Sequence, residues 1–149
     1  MATLKISDLS VGDWVRYRDR EWEVCSIYQF TEEVGLFRKD SQICESIEDI
    51  EPIPITAEIL EANGFILQKD SFNTYEYTTL LGKMLRTTRV HLDAPQCINV
   101  FLHDTTIERG YYHREKISMS ILKDVVYIHQ LQHALSFAGV DKEIVMPNK

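Results

Sequence analysis

Lys123-Asp-Val-Val-Tyr-Ile-His-Gln-Leu-Gln-His-Ala-Leu-Ser-Phe-Ala-Gly139 is the stretch whose pattern decides the fold. Leu122, Val125, Val126, Ile128, Leu131, Leu135 and Ala138 recur at three- and four-residue spacing, which is one stripe of an α-helix. The opposite side carries His129, Gln130, Gln132 and His133, imidazole and amide where surface helices usually carry Lys and Glu. The spacing predicts a helix from about Ser120 to Ala138, stopped by Gly139, since glycine takes the positive φ of a helix C-terminus without strain. A helix with one apolar stripe must bury it against another layer, and the preceding residues supply a sheet.

Upstream, apolar and polar residues alternate with the period of half-buried strands over Phe72 to Thr79, Met84 to Leu92, Cys97 to Leu102 and Tyr111 to Met119. Asp93-Ala-Pro95 and Glu108-Arg-Gly110 are the expected turns, and Leu80-Leu-Gly-Lys83 suits a hairpin connection. An antiparallel meander follows, with the final helix across one face. Glu143 to Met146 is expected to add an edge strand. Ahead of the meander, Thr56 is placed to cap a two-turn helix that ends at Asn63-Gly64.

Residues 1–54 read differently. Val11-Gly-Asp13 is a turn, and Trp14 to Arg18 is a strand in which arginines alternate with bulky apolar residues. A tight connection at Asp19-Arg20 leads into Trp22 to Phe30. Strict alternation there places Trp22, Val24, Ser26 and Tyr28 on one face and Glu23, Cys25, Ile27 and Gln29 on the other. Val34 to Phe37 and Ile43 to Ile50 supply further strands, and Pro52 and Pro54 close the section. The expected fold is α+β: a small SH3-like antiparallel β subdomain over 1–54, then an antiparallel sheet with a C-terminal helix packed on it over 55–149.

The formal net charge of -7 disfavours unspecific attraction to nucleic acid. Residues 1–55 carry 6 basic and 12 acidic side chains and residues 56–149 carry 10 and 11, so phosphate contacts would fall to the second part. Cys25, Cys44 and Cys97 are odd in number and form no CxxC pair, which points to reduced thiols and a cytoplasmic setting rather than a disulfide or zinc framework. Met-Ala-Thr-Leu-Lys-Ile6 has no leader pattern, and no apolar run approaches the roughly 20 residues of a membrane span.

Several groups invite a functional role. His129 and His133 stand one helical turn apart, the spacing at which two imidazoles share a metal. Gln130 stands where a metalloprotease helix has its glutamate base, and a third ligand would have to come from His91, His103, His113 or a carboxylate, so hydrogen bonding or an interface is the preferred use and no metal or cofactor is assigned. Arg16, Arg18 and Arg20 alternate along one strand, but neighbouring acids make ion pairing the simpler account. Arg86, Arg89, Arg109, Arg114 and Lys116, with Tyr111 and Tyr112, form a candidate nucleic-acid patch. Trp14 and Trp22 are expected in the first core. No local motif ties any cysteine to a histidine base, and Glu45 to Glu51 lacks the order of a calcium loop.

Ile53-Pro-Ile-Thr-Ala-Glu-Ile-Leu-Glu-Ala-Asn-Gly-Phe65, together with Tyr127-Ile-His-Gln-Leu-Gln-His-Ala-Leu135, the closing Gly139-Val-Asp-Lys-Glu-Ile144 and the opening Leu9-Ser-Val-Gly-Asp-Trp-Val15, resembles an uncharacterised family of small hypothetical proteins from gut bacteria and their phages. The resemblance spans most of the chain and implies neither an activity nor any functional residue. The expected function is a non-enzymatic cytosolic protein-interaction or accessory module, of phage or mobile-element type. It would meet a protein partner or a second copy of itself through His129, Gln130, Gln132 and His133. A nucleic-acid-associated protein using the basic residues of 86–116 is the alternative, and a metal-dependent hydrolase the weaker one.

Overall fold

A computed structural model describes residues 3–69, 72–81, 84–104 and 116–147. The chain divides into two compact units: the described residues up to Pro54 with Tyr127–His129, and Ile55–Val126 with the described residues from Gln130 onward.

The first unit is a five-stranded antiparallel sheet built from β1 (Trp14–Tyr17), β2 (Arg20–Tyr28), β3 (Glu33–Arg38), β4 (Ser41–Ser46) and β5 (Glu51–Pro52), in the order β4-β3-β2-β1-β5. The β1–β2 hairpin turns on Arg18 and Asp19, both at positive φ (48° and 61°), as a two-residue connection of right-handed strands requires. Arg18 therefore leaves the strand and lies over the Tyr17 ring, 5.3 Å from its centre, while Arg16 stands opposite Glu21. The three arginines do not share a strand face. Val15, Val24, Val34 and Leu36 fill the core, with Trp22 partly buried against it and edge-on to Tyr17.

Further expectations for this unit need correction. Trp14, expected in the core beside Trp22, pairs instead with Glu23 on the face opposite buried Val15 and is half-buried outside the core cluster. The strand expected over Ile43 to Ile50 ends at Ser46, whose hydroxyl accepts from Glu48 N at 3.3 Å and opens a 3-10 turn over Ile47–Asp49. The strict alternation assigned to β2 also breaks. A β-bulge shifts the register between Val24, opposite Leu36, and Ser26, opposite Gly35. The extra residue moves Ile27 onto the core face with Val24, and Tyr28 is half exposed.

The second unit opens with α1 (Ala57–Ala62), capped by Thr56 Oγ1, which accepts from Ile59 N at 3.2 Å. Its sheet has the order β10-β9-β8-β7-β6, from β6 (Ile66–Leu67), β7 (Thr74–Leu81), β8 (Met84–His91), β9 (Gln96–Asp104) and β10 (Lys116–Lys123). Tyr75, Thr88, Val90, Ile98 and Val100 form its buried face, and α2 (Ile128–Phe137) packs on this sheet. Both helices end alike. Phe65 N donates to Leu60 O and Gly64 N to Glu61 O; Val140 N donates to Leu135 O and Gly139 N to Ser136 O. Gly64 and Gly139 sit at φ +83° and +70°, so each apparent stop in the sequence is a left-handed cap.

The final helix begins at Ile128 rather than near Ser120. Lys116-Ile-Ser-Met-Ser-Ile-Leu-Lys123 is strand, pairing Ser120 with Asn99 and Leu122 with Cys97. The backbone bends at Asp124 and Val125 and then pairs with the segment ahead of α1: Ile55 N donates to Val126 O at 3.2 Å, Tyr127 bridges Pro54, and Ile128 N donates to Ile53 O at 2.8 Å. These bonds satisfy the backbone groups that a longer helix would have used, and Leu122 and Val125 are exposed rather than part of a buried stripe. The edge strand expected at Glu143 to Met146 is also absent. The Asn63 amide takes its place, donating to Val145 O and accepting from Val145 N, each at 2.8 Å, while Ile144 and Met146 are buried. Tyr111 to Arg114 and the Glu108 to Gly110 turn lie outside the described residues.

Candidate functional site

The second sheet buries one face and opens the other. Register places Thr74, Glu76 and Thr78 of β7 beside His91, Arg89 and Thr87 of β8, and these beside Cys97, Asn99 and Phe101 of β9. Side chains two apart on a strand share a face, so three in-register strands produce rows across the sheet, two of them polar throughout and the third ending on the buried ring of Phe101. Gln68, Phe72, Thr74, Glu76, Arg89, His91, Cys97 and Asn99 line a cleft of about 650 Å³ on this face.

The rows are internally bonded. Glu76 and Arg89 form an ion pair, and the Arg89 guanidinium lies 4.3 Å above the centre of the Phe101 ring. Paired to a carboxylate and resting on an aromatic face, this guanidinium is held in place. The Thr74 hydroxyl donates to Phe72 O at 3.1 Å and lies 2.8 Å from His91 Nδ1. A hydroxyl has one proton; with that proton on the Phe72 carbonyl, the Thr74 oxygen accepts from His91 Nδ1. Ser120 Oγ donates to Asn99 Oδ1 at 2.6 Å, and Asn99 Nδ2 donates to Cys97 Sγ at 3.7 Å. Cys97 is the cross-strand partner of His91. The cleft thus combines a carboxylate, a guanidinium, an imidazole, amides and a thiol, with acid and base in balance.

Apolar groups stand at one end of the cleft. Phe72 is 87% exposed, and Ile66, opposite Glu76 in the register, is 68% exposed. A large exposed aromatic beside fixed polar groups is the composition of a recognition surface.

The residues singled out from the sequence lie elsewhere. His129 is buried, with its ring stacked on Tyr127 at 6.1 Å and 13° between planes. Gln130, Gln132 and His133 are half-buried on α2. All four engage in interactions within the fold. Arg86 and Arg89 are three apart on β8 and project from opposite faces. Arg86 donates through Nη1 to Ala138 O at the carbonyl end of α2, where a cation is favoured by the helix dipole. Arg109, Arg114, Tyr111, Tyr112 and His113 lie outside the described residues, and only the backbone is described for Lys116 and His103. Among the described residues, no group of three or more His, Cys, Asp or Glu side chains is placed to hold a metal ion, and no helix is long and apolar enough to cross a membrane. Sequence reasoning missed the cleft, although Thr74, Glu76, Arg89, His91, Cys97 and Asn99 each follow the polar phase of an alternating strand. Only the register joins those phases into one surface.

Comparison with protein-family models, with curated proteins and with solved structures finds no match to this chain.

Proposed function

We propose that the chain is a non-enzymatic protein-interaction module of the cytosol, which holds a polypeptide partner across the open face of its second sheet. The observation that carries this is the 650 Å³ cleft, with its balanced charges and exposed Phe72. A polypeptide offers backbone donors and acceptors to the Glu76–Arg89 pair, His91 and the amides, and an apolar side chain to Phe72 and Ile66. A polyanion would meet Glu76 beside Arg89, the one arginine among the described residues that line the cleft, and Arg86 is committed to the end of α2. Those two placements favour a protein over nucleic acid. Three free cysteines support the cytosolic setting. The order β4-β3-β2-β1-β5, with a 3-10 turn ahead of β5, supports an SH3-like description of the first unit.

The test is affinity capture from the native lysate with wild-type chain and with Phe72→Ser/Arg89→Ala as bait, using Phe30→Ser as the control. Phe30 is fully exposed and belongs to the first unit. The reading requires a reproducible partner that the cleft variant loses and the control keeps. A partner retained by the cleft variant, or none at all, overturns it, and a salt-dependent gel shift with wild-type chain would favour nucleic acid instead.

A further inference from the structure

The open face of the first sheet follows from the register on both sides of the β2 bulge. Trp14, Glu23, Phe37 and Gln42 form one row across β1 to β4. Ser26, Gly35 and Cys44 form the next, and Tyr28, Glu33 and Ser46 the third. Val24, Ile27, Val34 and Leu36 point the other way, into the core. The first and third rows each set an exposed aromatic beside a carboxylate: Phe37, 43% exposed, is opposite Glu23, and Tyr28, 51% exposed, is opposite Glu33. The middle row carries only small side chains. The Ser26 hydroxyl lies directly on Gly35, where a Cβ would come within 2.0 Å of it, so the floor between the two aromatics is low and polar. Over this floor is a hollow of about 280 Å³, bounded by Tyr28 at one end. At the other end is Gln42, whose Nε2 donates to Cys25 Sγ at 3.7 Å.

We infer that this face docks an extended, basic segment of a partner protein. Two Arg or Lys side chains four residues apart meet the two aromatic–carboxylate couples, and the residue midway between them enters the hollow. The spacing comes from the strand itself. Glu33 and Phe37 are four residues apart on β3, a distance of roughly 13 Å at the rise of a strand, and an extended peptide has the same rise. Laid along β3, it presents side chains i and i+4 to the outer rows and i+2 to the middle one.

Charge selects the occupant. The register of β1 to β4 places Arg16, Glu21, Glu23 and Glu33 on this face, three acids against one base. Glu21 and Glu23 also interact within the fold, and their charge adds to the local field. Residues 1–55 as a whole carry 12 acidic and 6 basic side chains, so a basic segment is attracted and a polyanion repelled. At each couple a guanidinium stacks on the ring while its edge donates to the carboxylate. A neutral or acidic segment gains neither contact. The face shares no residue with the cleft of the second sheet, so it is a second site and not an extension of the first.

The probe is a capped synthetic peptide of Ser and Thr with two arginines four residues apart and a valine midway. It is titrated calorimetrically into the full-length chain at low ionic strength. A peptide of the same composition with its arginines adjacent is the control for unspecific charge attraction. The expected result is one site per chain and about tenfold tighter binding of the spaced peptide than of the control. Phe37→Ser, Tyr28→Ser and Glu33→Gln should each weaken the spaced peptide by about tenfold, with circular dichroism checking that each variant folds. The cleft variant Phe72→Ser/Arg89→Ala should bind it as the wild type does. Equal affinity for the two peptides, no saturable binding, full affinity in Phe37→Ser or Glu33→Gln, or a loss in the cleft variant would each overturn the docking face.

Discussion

Among the described residues the two sheets have the same number of strands and the same antiparallel pairing, yet their open faces are built on opposite terms. In the second, β7, β8 and β9 keep one register along their length, so polar residues two apart fall into rows and form a broad cleft. In the first, a bulge at Cys25 and a side-chain-free position at Gly35 interrupt the rows and leave a small thiol-lined hollow. Regular register makes a surface by addition of many residues. An irregularity makes one by aiming a few. The same contrast decides how each region reads from sequence, because alternation identifies a face only while register is kept.

The largest effect expected from this comparison lies within one strand of the second sheet. Ile98 is fully buried and its neighbour Asn99 faces the cleft. Ile98→Ala should cost about 2–5 kcal/mol in urea unfolding, and Asn99→Ala less than about 1 kcal/mol. Equal costs would mean that the two faces are not distinct. The next effect probes the bulge. If it places Ile27 inward, Ile27→Ala should destabilise by about 2 kcal/mol, clearly more than Tyr28→Ala. The reverse ranking would restore uninterrupted alternation to β2.

Gly35→Ala comes third. Its methyl would collide with Ser26 Oγ, and overpacking of this kind costs about 1–3 kcal/mol. Removing the hydroxyl in Gly35→Ala/Ser26→Ala should recover most of that loss; no recovery would show that the glycine is needed for another reason. The smallest effect concerns alkali. Burial raises the Tyr75 phenol above its ordinary 10.0, and Glu61, which accepts its hydrogen bond at 3.3 Å, raises it further. The folded state therefore holds this proton more tightly than the unfolded state does. That contribution is complete below pH 10 and is lost as pH rises through the folded value. Tyr75→Phe should flatten the decline of thermal midpoint above pH 10, and an unchanged decline would remove Tyr75 as its source.

The punctuation of the fold was legible in local sequence. Thr56 caps α1, Gly64 and Gly139 close the two helices, and Val11-Gly-Asp13 turns the chain where expected, with Ser10 N donating to the Asp13 carboxylate at 2.8 Å. Each depends on the φ preference or hydrogen-bonding reach of a few adjacent residues. The start of α2 was misread because Leu122, Val125 and Val126 fit a helical stripe equally well. The rival signal was also present, in the strict alternation of Ile117, Ser118, Met119, Ser120 and Ile121. Pairing with β9 decided between them. At Glu143 to Met146 an apolar run suggested a strand, but the backbone N–H and C=O of Val145 are both bonded by the amide of Asn63, a residue 82 positions away.

Sequence by itself therefore determined the α+β class, the antiparallel meanders and the helix caps. These follow from period, composition and turn chemistry, which act over a few residues. Tertiary structure alone decided which polar residues form a cleft, that His129 is enclosed rather than displayed, and that Cys25 and Cys44 flank Gly35. Those outcomes depend on which strand pairs with which and in what register. Pairing is a choice among distant segments, and a shift of one residue exchanges one face of a strand for the other.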